Sequence, residues 1–183
     1  MTFTEAPLKG AYVIDLAPIR DERGYFVRTF CEQMLAHRGL VDSFVQANQS
    51  LCRKRGTIRG LHYQVPPVSE AKLVRCLRGA AFDVLVDMRR YSPTLLKWFS
   101  CELSAENFKM VYVPPGFAHG YQALTDGCEV AYQASKEYTP EKESRVRFDD
   151  PRVMIRWPIK SVIVSPKDAA TPDLTGDFSG IDL

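Results

Sequence analysis

The chain has little that would mark it for nucleic acid, membrane or metal. Its 24 basic residues nearly balance 22 acidic ones, leaving a net charge of +2 over 183 residues. That is too small for a nucleic-acid or membrane-surface footprint, although it leaves room for a local basic site. No helix-turn-helix, zinc-finger or RNA-binding signature occurs. No segment approaches the roughly 20 apolar residues that a membrane span needs. Met1 to Gly10 carries Glu5, Pro7 and Lys9, so no signal peptide is read there. The five cysteines, Cys31, Cys52, Cys76, Cys101 and Cys128, are odd in number and scattered, with no C-x-x-C pair. This excludes a disulfide framework and points to reduced thiols in a cytoplasmic protein. Linkers and low-complexity stretches are also missing, so one domain over residues 1–183 is expected.

What is present is a series of short β-type segments. A hydrophobic content of 45% and a charged content of 25% are ordinary for a globular chain. Tyr12 to Leu16 reads as a strand, and Asp21-Glu22-Arg23-Gly24 as the turn of a hairpin continuing through Tyr25 to Phe30. Glu32 to Arg38, closed by Gly39, is the best helix candidate. Further strands are expected over Phe44 to Ser50, Gly56 to Gln64, Lys72 to Leu77, Ala81 to Met88, Lys97 to Leu103, Val111 to Val113, Gly120 to Leu124 and Glu129 to Ala134. Their spacing predicts an all-β sandwich or barrel. The tail from Lys167 to Leu183, rich in Asp, Gly, Pro and Ser, is expected to lie over the surface or dock in part.

Only three histidines occur, and two sit in strand-like company: His62 in Gly56-Thr57-Ile58-Arg59-Gly60-Leu61-His62-Tyr63-Gln64, and His119 in Pro114-Pro115-Gly116-Phe117-Ala118-His119-Gly120. Regular alternation would point Ile58, Gly60, His62 and Gln64 one way and Arg59, Leu61 and Tyr63 the other. A lone strand histidine is more often structural than functional; a pair that a barrel could bring to one cavity is a stronger signal. As metal ligands they lack a third partner, since His37 falls in the expected helix and no cysteine stands at ligand spacing. A general base at neutral pH suits histidine better. Such a base needs an orienting carboxylate, for which Asp83, Asp87 and Asp168 are all candidates. Tyr132 is read either as a core tyrosine or as a proton donor. Arg23, Arg59, Lys72, Arg75, Arg78 and the run Arg53 to Arg55 are mostly solvated charge, but a subset facing a cavity would suit a phosphate or diphosphate.

The order Arg59-Gly60-Leu61-His62-Tyr63-Gln64, Lys72-Leu73-Val74-Arg75, Phe82 to Arg89, Leu103 to Asn107, Pro114 to Gly120, Phe148-Asp149-Asp150-Pro151, Trp157-Pro158 and Ser165-Pro166-Lys167-Asp168 resembles the dTDP-4-dehydrorhamnose 3,5-epimerase family from about Gly10 to Asp168. The resemblance implies a cupin-type double-stranded β-helix (jelly-roll barrel) with a few short helices and no metal or organic cofactor. It implies a homodimer whose N-terminal strands cross to the partner. The implied substrate is a dTDP-linked 4-keto-6-deoxyhexose inverted at C3 and C5; inversion at one centre, or a CDP- or GDP-linked sugar, is the alternative within the fold. A non-catalytic sugar-nucleotide-binding cupin is the alternative of another class, which an acid–base pair would not serve. Carried over by motif, His62 is the base, Asp168 its orienting carboxylate, Tyr132 the acid and Lys72 the oxyanion stabiliser. Arg59 and His119 would contact the sugar or diphosphate. Arg23, Gln46, Asn48, Glu143 and Lys167 match nucleotide-binding positions, Arg23 reaching into the partner's site, and Tyr138 matches the residue that stacks on the base. Two departures stand on the nucleotide side: Arg28 replaces a glutamate of the best-known members, and the chain is one residue longer between Asn48 and His62.

Overall fold

A computed structural model describes all 183 residues. It is nearly all β. The strands are β1 (Thr2–Glu5), β2 (Tyr12–Asp15), β3 (Ile19–Asp21), β4 (Gly24–Phe26), β5 (Gln46–Cys52), β6 (Ile58–Gln64), β7 (Lys72–Arg78), β8 (Ala80–Asp87), β9 (Trp98–Ser104), β10 (Lys109–Val113), β11 (Phe117–Ala123), β12 (Cys128–Ala134) and β13 (Glu143–Arg145). Helices are confined to α1 (Glu32–Ala36) and α2 (Pro166–Ala169), with one 3-10 turn over Pro140–Lys142. No helix is long and apolar enough to cross a membrane.

The strands form a six-stranded sheet in the order β1-β2-β10-β7-β12-β5, a five-stranded sheet in the order β13-β6-β11-β8-β9, and the separate hairpin β3-β4. Alternation along each strand sorts side chains between layers. Val74 and Cys76 of β7 meet Leu85 of β8 and Phe117 and Tyr121 of β11 in the core between the two large sheets. Leu73, Met110 and Tyr112 face outward from the six-stranded sheet and are covered by Leu35 of α1, Phe30 and Phe44. Val84, Val86 and Ala118 face outward from the other sheet and are covered by Val153 and Trp157. The two-layer arrangement is the sandwich expected from the strand spacing, and it is the cupin-like fold that the resemblance implies.

The C-terminal stretch docks firmly. Leu174, Phe178 and Ile181 pack on the outer apolar layer of the five-stranded sheet, the Leu174 amide donates to Asp150 Oδ2 at 2.6 Å, and Arg152 donates to the Phe178 carbonyl at 3.1 Å. Two elements are shorter than their local sequence suggests. Beyond Phe26 the chain has no strand to pair with, because β3 offers only Ile19 to Asp21. The helix stops at Ala36 and passes through a turn to Gly39, whose φ of +65 suits glycine.

Candidate active site

Between the sheets lies a cavity of about 530 Å³ whose wall includes Arg59, His62, Lys72, His119, Tyr132, Lys167 and Asp168. A second space of about 370 Å³, lined by Gln46, Asn48, Tyr138 and Glu143, adjoins it and shares His62, Lys72 and Tyr132. The two sheets contribute different chemistry. The five-stranded sheet supplies Arg59 and His62 from β6, His119 from β11 and Glu143 from β13; the six-stranded sheet supplies Lys72 from β7, Tyr132 from β12, and Gln46 and Asn48 from β5.

Strict alternation along β6 fails at Gly60, and the failure builds the site. His62 pairs with His119 and Arg59 with Tyr121, so three steps on β6 match two on β11. This bulge turns Arg59 inward beside His62, while Ile58 joins Leu61 and Tyr63 in the outer layer. The expected faces of Ile58 and Arg59 are thereby corrected. Gly60 has φ +120 and a Cβ there would stand 2.6 Å from Gly120 Cα and 2.8 Å from the His119 carbonyl oxygen. Only glycine fits.

His62 Nε2 lies 2.7 Å from Asp168 Oδ1. Asp168 reaches it from α2, where the Ser165 hydroxyl accepts the Asp168 amide at 3.1 Å and fixes the turn. Burial would push the Asp168 carboxyl up, but the hydrogen bond and charge of His62, the Ser165 hydroxyl and the Arg145 guanidinium together hold it below the usual carboxylate range. The other carboxylate candidates go elsewhere. Asp83 Oδ2 is 2.8 Å from His119 Nε2. Asp87 is held by Arg89, Ser92 and Thr94 at the C-terminal end of β8.

Lys72 Nζ is 2.9 Å from Glu70 Oε1 and donates to the His62 carbonyl at 3.4 Å. The Tyr132 phenol is raised by burial and then by the charges of Glu70 and Glu143, and no protein hydrogen bond holds its hydroxyl. Arg59 is anchored by a 3.1 Å bond to the Leu51 carbonyl. Glu143 accepts from both Arg145 and Lys167, the latter at 3.0 Å. Gln46 accepts the Tyr138 amide at 2.8 Å and leaves the half-exposed Tyr138 ring at the cavity mouth. No group of three His, Cys, Asp or Glu side chains converges as a metal set would.

Arg23 and Arg28 are not brought to this site. Arg23 is exposed at the hairpin tip and folded onto Asp21 at 2.6 Å, and Arg28 is exposed beyond β4; neither lines either cavity. Conversely, Glu70 and Arg145 line the site without having been singled out from sequence. For Glu70 the signal was its spacing of two from Lys72. Arg145 had none, because its place depends on β13 pairing with β6, which sets it opposite His62.

The sequence profile described as dTDP-4-dehydrorhamnose 3,5-epimerase matches residues 5–176. A protein of that name from Methanothermobacter thermautotrophicus is 44% identical over 169 residues, covering 91% of this chain and 90% of its own. The crystal structure of the enzyme from Elizabethkingia anophelis superposes with a TM-score of 0.92 at 39% identity, over 97% of this chain and 98% of that one. That of the Legionella pneumophila enzyme, in complex with dTDP-4-keto-L-rhamnose, does so at 0.88 and 38%, over 93% and 90%. Motif order, fold and profile agree along nearly the whole length, and the chain belongs to the dTDP-4-dehydrorhamnose 3,5-epimerase family of isomerases.

Proposed function

We propose that this epimerase inverts C3 and C5 of dTDP-4-dehydro-6-deoxyglucose by a base and an acid mounted on opposite sheets. The observation that carries the reading is the His62–Asp168 pair at 2.7 Å on one wall, with Tyr132 on the other. The C4 ketone acidifies the hydrogens on C3 and C5. His62, its Nε2 engaged by Asp168, takes a proton at Nδ1, and the electron pair moves onto the ketone oxygen as an enolate. Lys72 stabilises that oxygen; removing such a group often costs about 3 kcal/mol of transition-state stabilisation. Tyr132 then delivers a proton to the opposite face of the carbon, which inverts the centre.

Arg59 and His119 meet the sugar or its diphosphate. Gln46, Asn48, Tyr138, Glu143 and Lys167 form the nucleotide end, with Tyr138 stacking on the base. In the assembled enzyme Arg23, and Arg28 beside it, reach a partner's site. A homodimer with exchanged N-terminal strands would cover Ile19, Tyr25 and Phe26 of the hairpin, which are 71%, 57% and 68% exposed in the single chain. The five free cysteines suit a reducing compartment such as the cytoplasm.

Incubation with dTDP-4-keto-6-deoxyglucose in D2O tests this directly. Deuterium at both C3 and C5 supports double inversion, and deuterium at one centre the restricted alternative. Parallel runs with CDP- and GDP-linked sugars test the carrier, and no exchange with any of them sinks the reading.

A further inference from the structure

Glu70 stands at the end of the connection leading into β7. Its Oε1 is 2.9 Å from Lys72 Nζ, and the two side chains are 6% and 12% exposed. Extended chain carries residues i and i+2 on one side, so Glu70 and Lys72 point together into the space between the sheets. Glu70 Oε2 is buried without a hydrogen-bond partner. A buried carboxylate oxygen with no protein donor is a standing cost to the fold, and such costs collect where a site uses them. Glu70 lines the same space as His62, Lys72 and Tyr132.

We propose that Glu70 is a positioning residue for the epimerisation, holding the Lys72 ammonium where the enolate oxygen forms and facing Tyr132 from beside the neighbouring strand. The proposal rests on the roles given above to Lys72 and Tyr132. Lys72 ends a flexible stem, and its other bond, to the His62 carbonyl, is long at 3.4 Å. The Glu70 contact therefore fixes the ammonium before charge develops, so none of the stabilisation is spent on moving it. On β12, Ala134 pairs with Lys72 and Tyr132 with Val74. Lys72 and Tyr132 are thus diagonal neighbours on one face, within reach of a single carboxylate. The charged and titratable groups around the phenol are Glu70, Glu143, Tyr138 and Arg59, with Lys72 on the same sheet and His62 on the opposite one. Glu143 is shared by two cations, Arg145 and Lys167. Glu70 has one, so it is the less shielded of the two carboxylates that favour the protonated, donating phenol.

The test compares wild type, Glu70→Gln, Lys72→Met and the double variant for kcat, KM and the pH profile of kcat on the dTDP-linked keto sugar. Glu70→Gln keeps the shape and removes the charge. It should lower kcat about tenfold or more while KM stays within about threefold. The alkaline limb of its kcat profile should move to lower pH, because the phenol loses a neighbouring negative charge. In the Lys72→Met background the same change should add less than about a twofold loss, since the two residues act as a unit. A wild-type kcat and pH profile for Glu70→Gln, or losses that multiply in the double variant, overturn the proposal while leaving the function intact. A wild-type rate for Lys72→Met overturns the role of Lys72 itself, and this proposal with it. Where a thermal melt shows Glu70→Gln unfolded, Glu70→Asp serves instead: the shorter arm should lower kcat and leave the alkaline limb in place, and a wild-type rate refutes the assignment.

Discussion

His62 and His119 stand directly opposite each other on β6 and β11, and each is bonded to a carboxylate of its own, Asp168 at 2.7 Å and Asp83 at 2.8 Å. The two pairs differ in burial. Asp83 is wholly enclosed and His119 nearly so, whereas the His62 ring is one-third exposed at the cavity. Of the two rings His62 is the more open to the cavity, which supports the reading of His62 as the base and Asp168 as its orienting carboxylate.

Asp168→Asn should lower kcat by roughly 10²-fold or more, as loss of an oriented base does, with C3 and C5 exchange falling together. The same variant has a pH signature. The folded chain holds the Asp168 carboxyl below its unfolded value, so its bonds contribute stability that is complete above the ordinary carboxylate range. That stability is lost as pH falls through the lower, folded value. The melting-temperature gap between wild type and Asp168→Asn should be widest near neutrality and narrow below about pH 4. A gap that widens on acidification would contradict the ion-pair geometry.

Tyr132→Phe separates the two halves of the reaction. His62 still removes a proton and returns one to the same face, so deuterium should enter from D2O without inversion. Product analysis by NMR reads both events at once. Inversion at the wild-type rate would remove Tyr132 as the acid.

Gly60→Ala forces a methyl group to within 3 Å of Gly120 and the His119 carbonyl, at a φ that side chains rarely adopt. A cost of about 3 kcal/mol follows, which lowers Tm by roughly 6–12 °C in a chain of this size. The bulge also sets Arg59 beside His62, so the folded fraction of the variant should show a raised KM.

Gln122→Leu tests the scaffold apart from the chemistry. Fully buried Gln122 donates to the Ile159 carbonyl at 2.9 Å and accepts the Ile159 amide at 3.0 Å. Leucine leaves both backbone groups unpaired, at about 1–3 kcal/mol each. Chemical denaturation should show the loss while kcat stays near wild type.

Much of this site was legible in the sequence because strand-forming residues and a few charged side chains recur in a recognisable order. His62, Lys72, Tyr132 and Asp168 all line the cavity. Choosing Asp168 over Asp83 for His62 from residue patterning alone was out of reach, because the partner lies 106 positions away and arrives through a docked tail. The inward turn of Arg59 was hidden as well, since a bulge is a property of two strands and the alternation rule reads only one. Arg145 depends on a three-residue strand whose place is set by its partner. Arg23 and Arg28 were matched by motif, and a single chain leaves them at its surface.

Asp168 comes after every strand of both sheets. A growing chain could therefore complete all its strand pairing and still hold an undirected histidine. A chain cut short after β13 would lack both that carboxylate and the Val153 and Trp157 cover of the five-stranded sheet. The segment that closes the outer apolar layer is, in this fold, the one that brings His62 its carboxylate.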